Sequence, residues 1–138
     1  MASVSPIKDL VGIPFQNGGR DPSTGLDCWG LTRLVLARFG YEAPDYQASA
    51  FDSAGVSAAA LAARCGGQWT EVQAPAPGVV VLMALDPYFP DAIQHFGVCL
   101  NDREFLQTLE KTGSIITRLD HPFFARRIKG FCEWKTGR

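Results

Sequence analysis

Residues 25–40 read GLDCWGLTRLVLARFG, from Gly25 through Asp27 and Cys28 to Gly40. Apolar side chains recur there at Cys28, Leu31, Leu34, Val35 and Phe39, at the three- and four-residue intervals of one helical face. Asp27 stands where an N-cap belongs and Gly40 where a C-cap belongs, so the pattern predicts a helix over residues 28–39. Six later segments read as strands: residues 69–72, 79–85, 95–100, 104–109, 115–118 and 128–134. Pro77-Gly78, Asn101-Asp102 and Thr112-Gly113 supply the turns. Helices first and an antiparallel sheet afterwards predict an α+β fold, with the helix at 28–39 packed on the sheet.

The remaining segments fit around that frame. Residues 5–11 predict a short helix, ended by Gly12 and Pro14. Residues 16–25, QNGGRDPSTG, are dense in turn formers and predict a loop. Residues 41–53 read as an irregular connection, and the Ala-rich residues 56–64 as a second helix closed by Gly66 and Gly67. Residues 86–94, DPYFPDAIQ, read as a loop bearing apolar side chains. No repeat or linker divides the chain, and 138 residues suit a single domain, 1–138, with a core of its own.

Composition narrows the class. Hydrophobic residues make up 46% and charged residues 20%, with a net charge of -1, so no field of one sign points to nucleic acid or anionic lipid. The start, MASVSPIKDL, lacks a basic segment followed by a long apolar one. The longest apolar run, residues 78–85, is far short of a membrane span. Neither a secretory signal nor membrane insertion is expected. Cys28, Cys65, Cys99 and Cys132 stand singly, with no Cys-x-x-Cys pair and no histidine at ligand spacing, so no metal site is expected and buried free thiols are expected for most of them.

The chemistry centres on Cys28. A thiolate is stabilised by the aligned dipoles and unpaired N–H groups of a helix start, which is where the pattern puts this residue. Gly25 and Gly30 leave room for a substrate backbone beside it. Position alone leaves Cys28 equally readable as a small buried apolar residue. A base must come from one of two histidines. His121 precedes Pro122 in a polar turn, whereas His95 opens the apolar run FGVCL and would be held rigidly at a strand start. If the chain reverses about Asn101, His95 lies opposite Gln107, whose amide oxygen can orient the imidazole. A slip of one residue would put Gln107 on the other face.

Taken together, Phe15-Gln16-Asn17-Gly18-Gly19, Gly25 to Leu31, Pro77 to Leu82, His95-Phe96-Gly97-Val98 and Glu104-Phe105-Leu106-Gln107 resemble the NlpC-type cell-wall peptidases in order and spacing. The resemblance implies a papain-like fold and hydrolysis of amide bonds in peptidoglycan stem peptides, between D-glutamate and a diamino acid. It implies Cys28, His95 and Gln107 as catalytic residues, and Asp27, Phe15 and Trp29 as substrate-binding residues. Asp27 would help recognise an amino group, and Phe15 replaces the tyrosine common at its position. Acyl transfer to the thiol needs no cofactor and no metal.

Gly18-Gly19-Arg20-Asp21-Pro22 and Trp29 are similar to the branch carried by tailed bacteriophages. That implies a tail-tip protein of the virion tail, made in the host cytoplasm, with tail-tip or hub proteins as partners. Two other roles remain open at this point: a structural tail-tip protein whose peptidase site is weak or dispensable, and a thiol acyltransferase using the same cysteine and histidine.

Overall fold

The structure, a computed structural model, describes residues 5–43 and 69–134. The expected helix at 56–64, most of the connection at 41–53 and Cys65 lie outside the described residues. A 3-10 helix, Ser5–Leu10, is followed by two short paired strands, β1 (Arg20–Asp21) and β2 (Gly25–Leu26). Helix α1 (Cys28–Arg38) comes next. The strands β3 (Trp69–Val72), β4 (Val80–Met83), β5 (His95–Cys99), β6 (Glu104–Leu109) and β7 (Gly113–Arg118) then precede a four-residue helix α2 (Pro122–Ala125) and β8 (Ile128–Trp134).

Strands β3 to β8 form one six-stranded antiparallel sheet in the order β3-β8-β4-β5-β6-β7. Alternation along the strands sorts its apolar side chains into two layers. Val80, Leu82, Phe96, Val98 and Leu106 join Leu31, Val35 and Leu36 of α1 in one core. Val81, Met83, Cys99 and Phe105 join Phe124 of α2 in a second core on the other face. Because β4 is covered on both faces, every residue from Val80 to Met83 is buried, which is why that strand reads as an unbroken apolar run. Cys99 and Cys132 are buried and form no disulfide among the described residues.

Helix α1 forms where its pattern predicts, with Asp27 as N-cap. The residues at 16–25 hold more than a loop, because Arg20↔Leu26 and Asp21↔Gly25 pair as a miniature hairpin. The expected helix at the N-terminus is a tighter 3-10 helix. Its end is tied across the molecule to the start of β7. The Ser114 hydroxyl donates to the Leu10 carbonyl at 2.6 Å and accepts from the Ile13 N–H at 2.8 Å. The unforeseen α2 is capped by His121, whose Nδ1 accepts from the Phe123 N–H at 3.1 Å. Tyr88, Phe89 and Phe123 are exposed, while Phe124 is buried against Phe105.

Candidate active site

The start of α1 is built around one carboxylate. Asp27 is 2% exposed. Its Oδ1 accepts from the Gly30 N–H at 2.8 Å and from Arg20 Nη1 at 2.6 Å, and its Oδ2 accepts from the Gly18 N–H at 3.1 Å. One side chain therefore caps the helix, neutralises an arginine and pins the preceding loop. The loop lies directly on the first helical turn. A Cβ at Gly30 would fall 2.2 Å from the Gly19 carbonyl oxygen, so the missing side chain admits the protein's own backbone there rather than a substrate's. A cavity of about 300 Å³ opens beside this turn, with Arg20, Arg33, Tyr41 and Glu42 in its wall.

Cys28 is the first residue of α1 and is 4% exposed. The backbone N–H groups of Phe96 and Trp29 are directed at its sulfur, so the thiol meets β5 at the residue after His95. Burial, reinforced by the neighbouring Asp27 charge, pushes this thiol from its ordinary 9.0 up to about 12. That rise opposes the thiolate by about 4 kcal/mol, whereas a helix N-terminus favours it by about 0.3–2 kcal/mol. Desolvation wins, and the resting sulfur is a neutral thiol rather than the thiolate expected from its place on the helix.

His95 opens β5, pairs with Met83 of β4 and is 7% exposed. Its Nε2 lies 3.0 Å from Gln107 Oε1, and Gln107 Nε2 donates to Thr117 Oγ1 at 2.9 Å. With Gln107 Oε1 turned toward the ring, the tautomer that satisfies the contact carries its proton on Nε2 and a lone pair on Nδ1, because an amide oxygen only accepts. Burial brings the imidazole down to about 4 against the opposing pull of the Gln107 bond, leaving the ring neutral at neutral pH. An undissociated thiol and a neutral imidazole thus stand on the two facing elements.

The hairpin that brings His95 to Gln107 has a different register from the one expected. Val98↔Leu106 and Cys99↔Phe105 are the paired residues, so the chain turns about Asp102 and not Asn101. The difference amounts to two positions along the partner strand, and with a side-chain period of two it leaves both residues on one face. Gln107 reaches His95 diagonally instead of directly across.

The other expected residues take these places. Phe15 is half-buried, and its backbone bridges to Leu26, two residues before the cysteine. Trp29 is 3% exposed, with its ring edge-to-face against Phe96 at 5.1 Å, so it ties α1 to β5. His121 is exposed at the start of α2 and is not gathered with the others. Arg20, read in the sequence only as part of the Gly18 to Pro22 motif, and Thr117, which no motif includes, are drawn in by the fold. Among the described residues no group of three His, Cys, Asp or Glu side chains is placed to hold a metal ion.

A helix that begins at a cysteine and packs on an antiparallel sheet, one of whose strands begins at a histidine bonded to a third polar side chain, is the framework of the papain-like α+β proteins. The chain belongs to the NlpC/P60 family, whose pattern matches residues 12–133. Three solved structures are similar in fold. A lipoprotein-like NLP/P60 protein of Staphylococcus aureus subsp. aureus Mu50 is 18% identical with a TM-score of 0.64, and the match covers 95% of this chain and 39% of that one. The NlpC/p60 domain of the peptidoglycan hydrolase SagA is 17% identical with a TM-score of 0.61, covering 96% and 95%. An NLPC/P60 family protein of Bacillus cereus ATCC 10987 is 17% identical with a TM-score of 0.56, covering 88% and 35%. The chain thus spans about two fifths of the length of the staphylococcal protein. No curated protein matches it.

Proposed function

We propose that this chain is a cysteine peptidase that hydrolyses amide bonds in peptidoglycan stem peptides, with Cys28 as nucleophile, His95 as base and Gln107 as the group that orients the base. The observation that carries this reading is the 3.0 Å contact between His95 Nε2 and Gln107 Oε1, on the strand that meets the Cys28 thiol. It leaves Nδ1 of a neutral imidazole free to accept a proton. Family membership and the likeness to the SagA domain support the substrate class.

The chemistry follows from a neutral pair. His95 Nδ1 takes the thiol proton as sulfur attacks the amide carbonyl, so the charge separation disfavoured at rest is formed only when a bond forms with it. The C–S bond forms, the carbonyl π pair moves to oxygen, and the Cys28 N–H, at a helix start without an intrahelical acceptor, faces the oxyanion. The C–N bond then breaks as His95 returns the proton to the departing amine. Water, deprotonated by His95, splits the thioester and restores the thiol. Asp27 and Trp29 flank the nucleophile in the chain, Phe15 bridges to Leu26 two residues before it, and in this reading the three shape the approach of the peptide. No cofactor enters these steps.

The finer reading is a phage tail-tip peptidase cutting between D-glutamate and a diamino acid, in contact with tail-tip or hub proteins. The tail-tip role rests on the similarity of Gly18-Gly19-Arg20-Asp21-Pro22 and Trp29 to the phage branch, and the bond cut rests on the family alone. A structural tail-tip role with a dispensable site is the second reading, favoured by the buried, un-ionised state of the thiol and imidazole.

Purified muropeptides incubated with wild type, Cys28→Ala and His95→Ala, with products read by mass spectrometry, test the enzyme. Wild type alone should release a new amine and carboxyl pair. Equal products with Cys28→Ala, or none with wild type, would remove the peptidase reading. Particles carrying Cys28→Ala should assemble yet fail to open the wall. Particles that infect normally with that change, but fail to form when the protein is deleted, would favour the structural role.

A further inference from the structure

The third residue of the site depends on a neighbouring strand. The ladder between β6 and β7 runs through six pairs, from Glu104↔Arg118 to Leu109↔Gly113, whereas the pairs between β5 and β6 are Val98↔Leu106 and Cys99↔Phe105, at the turn end. At the His95 end, Gln107 is therefore positioned by β7, where it pairs with Ile115. Two residues farther along β7, on the same face as Ile115, stands Thr117, at the diagonal distance that a long side chain such as glutamine spans.

Gln107 is fully buried and Thr117 is 6% exposed, so their polar atoms must be satisfied within the protein. The amide has two unlike ends, and each has its own partner. The NH2 end donates to Thr117 Oγ1 at 2.9 Å, and the carbonyl end meets His95 Nε2 at 3.0 Å. The ends of that side chain are held from opposite sides, one by β7 and one by β5. Removing the hydroxyl takes this acceptor from a fully buried NH2 group, and the amide then gains by rotating away from the imidazole or by turning over. A turned amide would present NH2 to Nε2 and drive the ring proton to Nδ1, the atom that must be bare to receive the thiol proton.

We propose that Thr117 is a positioning residue of this site: its hydroxyl holds the Gln107 amide so that Oε1 stays on His95 Nε2. The kinetic consequence rests on the peptidase reading; the structural one does not. Thr117 touches neither substrate nor reacting atoms and acts through Gln107 and His95 in turn.

The test compares wild type, Thr117→Val, which keeps the volume and removes the hydroxyl, and Thr117→Ser, which restores it. With two histidines in the chain, the ring ¹H and ¹⁵N resonances of His95 are assignable by comparison with His121→Asn. Wild type and Thr117→Ser should show a slowly exchanging Nε2–H with an unprotonated Nδ1. Thr117→Val should show faster exchange at Nε2 and a share of the Nδ1–H form. On muropeptides, Thr117→Val should lower kcat roughly tenfold with KM within about twofold, the loss of about one hydrogen bond, and Thr117→Ser should recover it. An unchanged His95 signature in folded Thr117→Val overturns the proposal, as does a kcat deficit that serine fails to repair. If wild type cleaves nothing while Thr117→Val still alters the His95 signature, the positioning role stands and the peptidase reading falls.

Discussion

Lowering the pH from 7 to 4 should destabilise this protein through His95 by an amount that its burial sets. Folding takes the imidazole from its ordinary 6.5 down to about 4. Above pH 6.5 the ring is neutral whether the chain is folded or not. Between 6.5 and 4 the unfolded chain binds a proton that the folded one refuses, so stability falls as the pH falls, and the loss is complete once the pH is below the folded value. The interval is worth about 3 kcal/mol at about 1.4 kcal/mol per pH unit. With a urea m-value of about 1–3 kcal/mol/M, the midpoint should move by roughly 1–3 M.

Exposed carboxylates enter only at the acid end of this range. Asp9, Asp21 and Asp120 are held below their ordinary 3.8 by hydrogen bonds from Arg38, from the Ser23 N–H and from Arg118 respectively, so what they add to stability begins to fall only near pH 4 and is lost below it. The measurement is therefore a difference. Urea midpoints are compared for wild type and His95→Gln at pH 7, 5.5 and 4; the glutamine can still donate to Gln107 Oε1 but cannot titrate. The variant should lose about 3 kcal/mol less than wild type over this range. Parallel loss in the two proteins would refute the argument and place the imidazole in a solvated setting.

Other changes probe the frame around the thiol. Gly30→Ala sets a Cβ against the Gly19 carbonyl oxygen, a backbone atom with no flexible end to yield, and should cost about 2–3 kcal/mol in a thermal or urea melt. A change under about 0.5 kcal/mol would mean that the loop lifts off freely. Asp27→Ala removes the cap, worth about 1 kcal/mol, and leaves Arg20 without this carboxylate. A total loss of about 2–4 kcal/mol is expected, and a double-mutant cycle with Arg20→Ala should show coupling above about 0.5 kcal/mol. Ser114→Ala strands the Ile13 N–H and a buried Leu10 carbonyl, so unfolding measurements should register a loss of about 1–3 kcal/mol and earlier proteolysis near the N-terminus.

The strand pattern and the helix at 28–39 were legible because each obeys a local rule. Alternation or helical spacing of apolar side chains records which face is buried, and Asp27 and Gly40 punctuate the helix chemically. The hairpin at Arg20 to Leu26 was not legible, because two-residue strands in a turn-rich stretch carry no periodicity. The nearness of His95 and Gln107 was readable only up to parity. Any register differing by an even number keeps them on one face, and the observed turn about Asp102 is one of these.

The sequence alone determined the class of fold, the residue at the start of the helix and the identity of the histidine on the core strand, since these follow from spacing and from residues few in number. Only the tertiary structure decided how those groups ionise and what holds them. The thiol is protonated because packing α1 on β5 removes water from it, and desolvation outweighs the helix start. Arg20 reaches Asp27 and Thr117 reaches Gln107 because a loop folds back and a third strand pairs. Such contacts join residues whose own neighbours in the chain give no sign of them, for a side chain's partner across a sheet is set by register and burial, which arise only when the whole chain has packed.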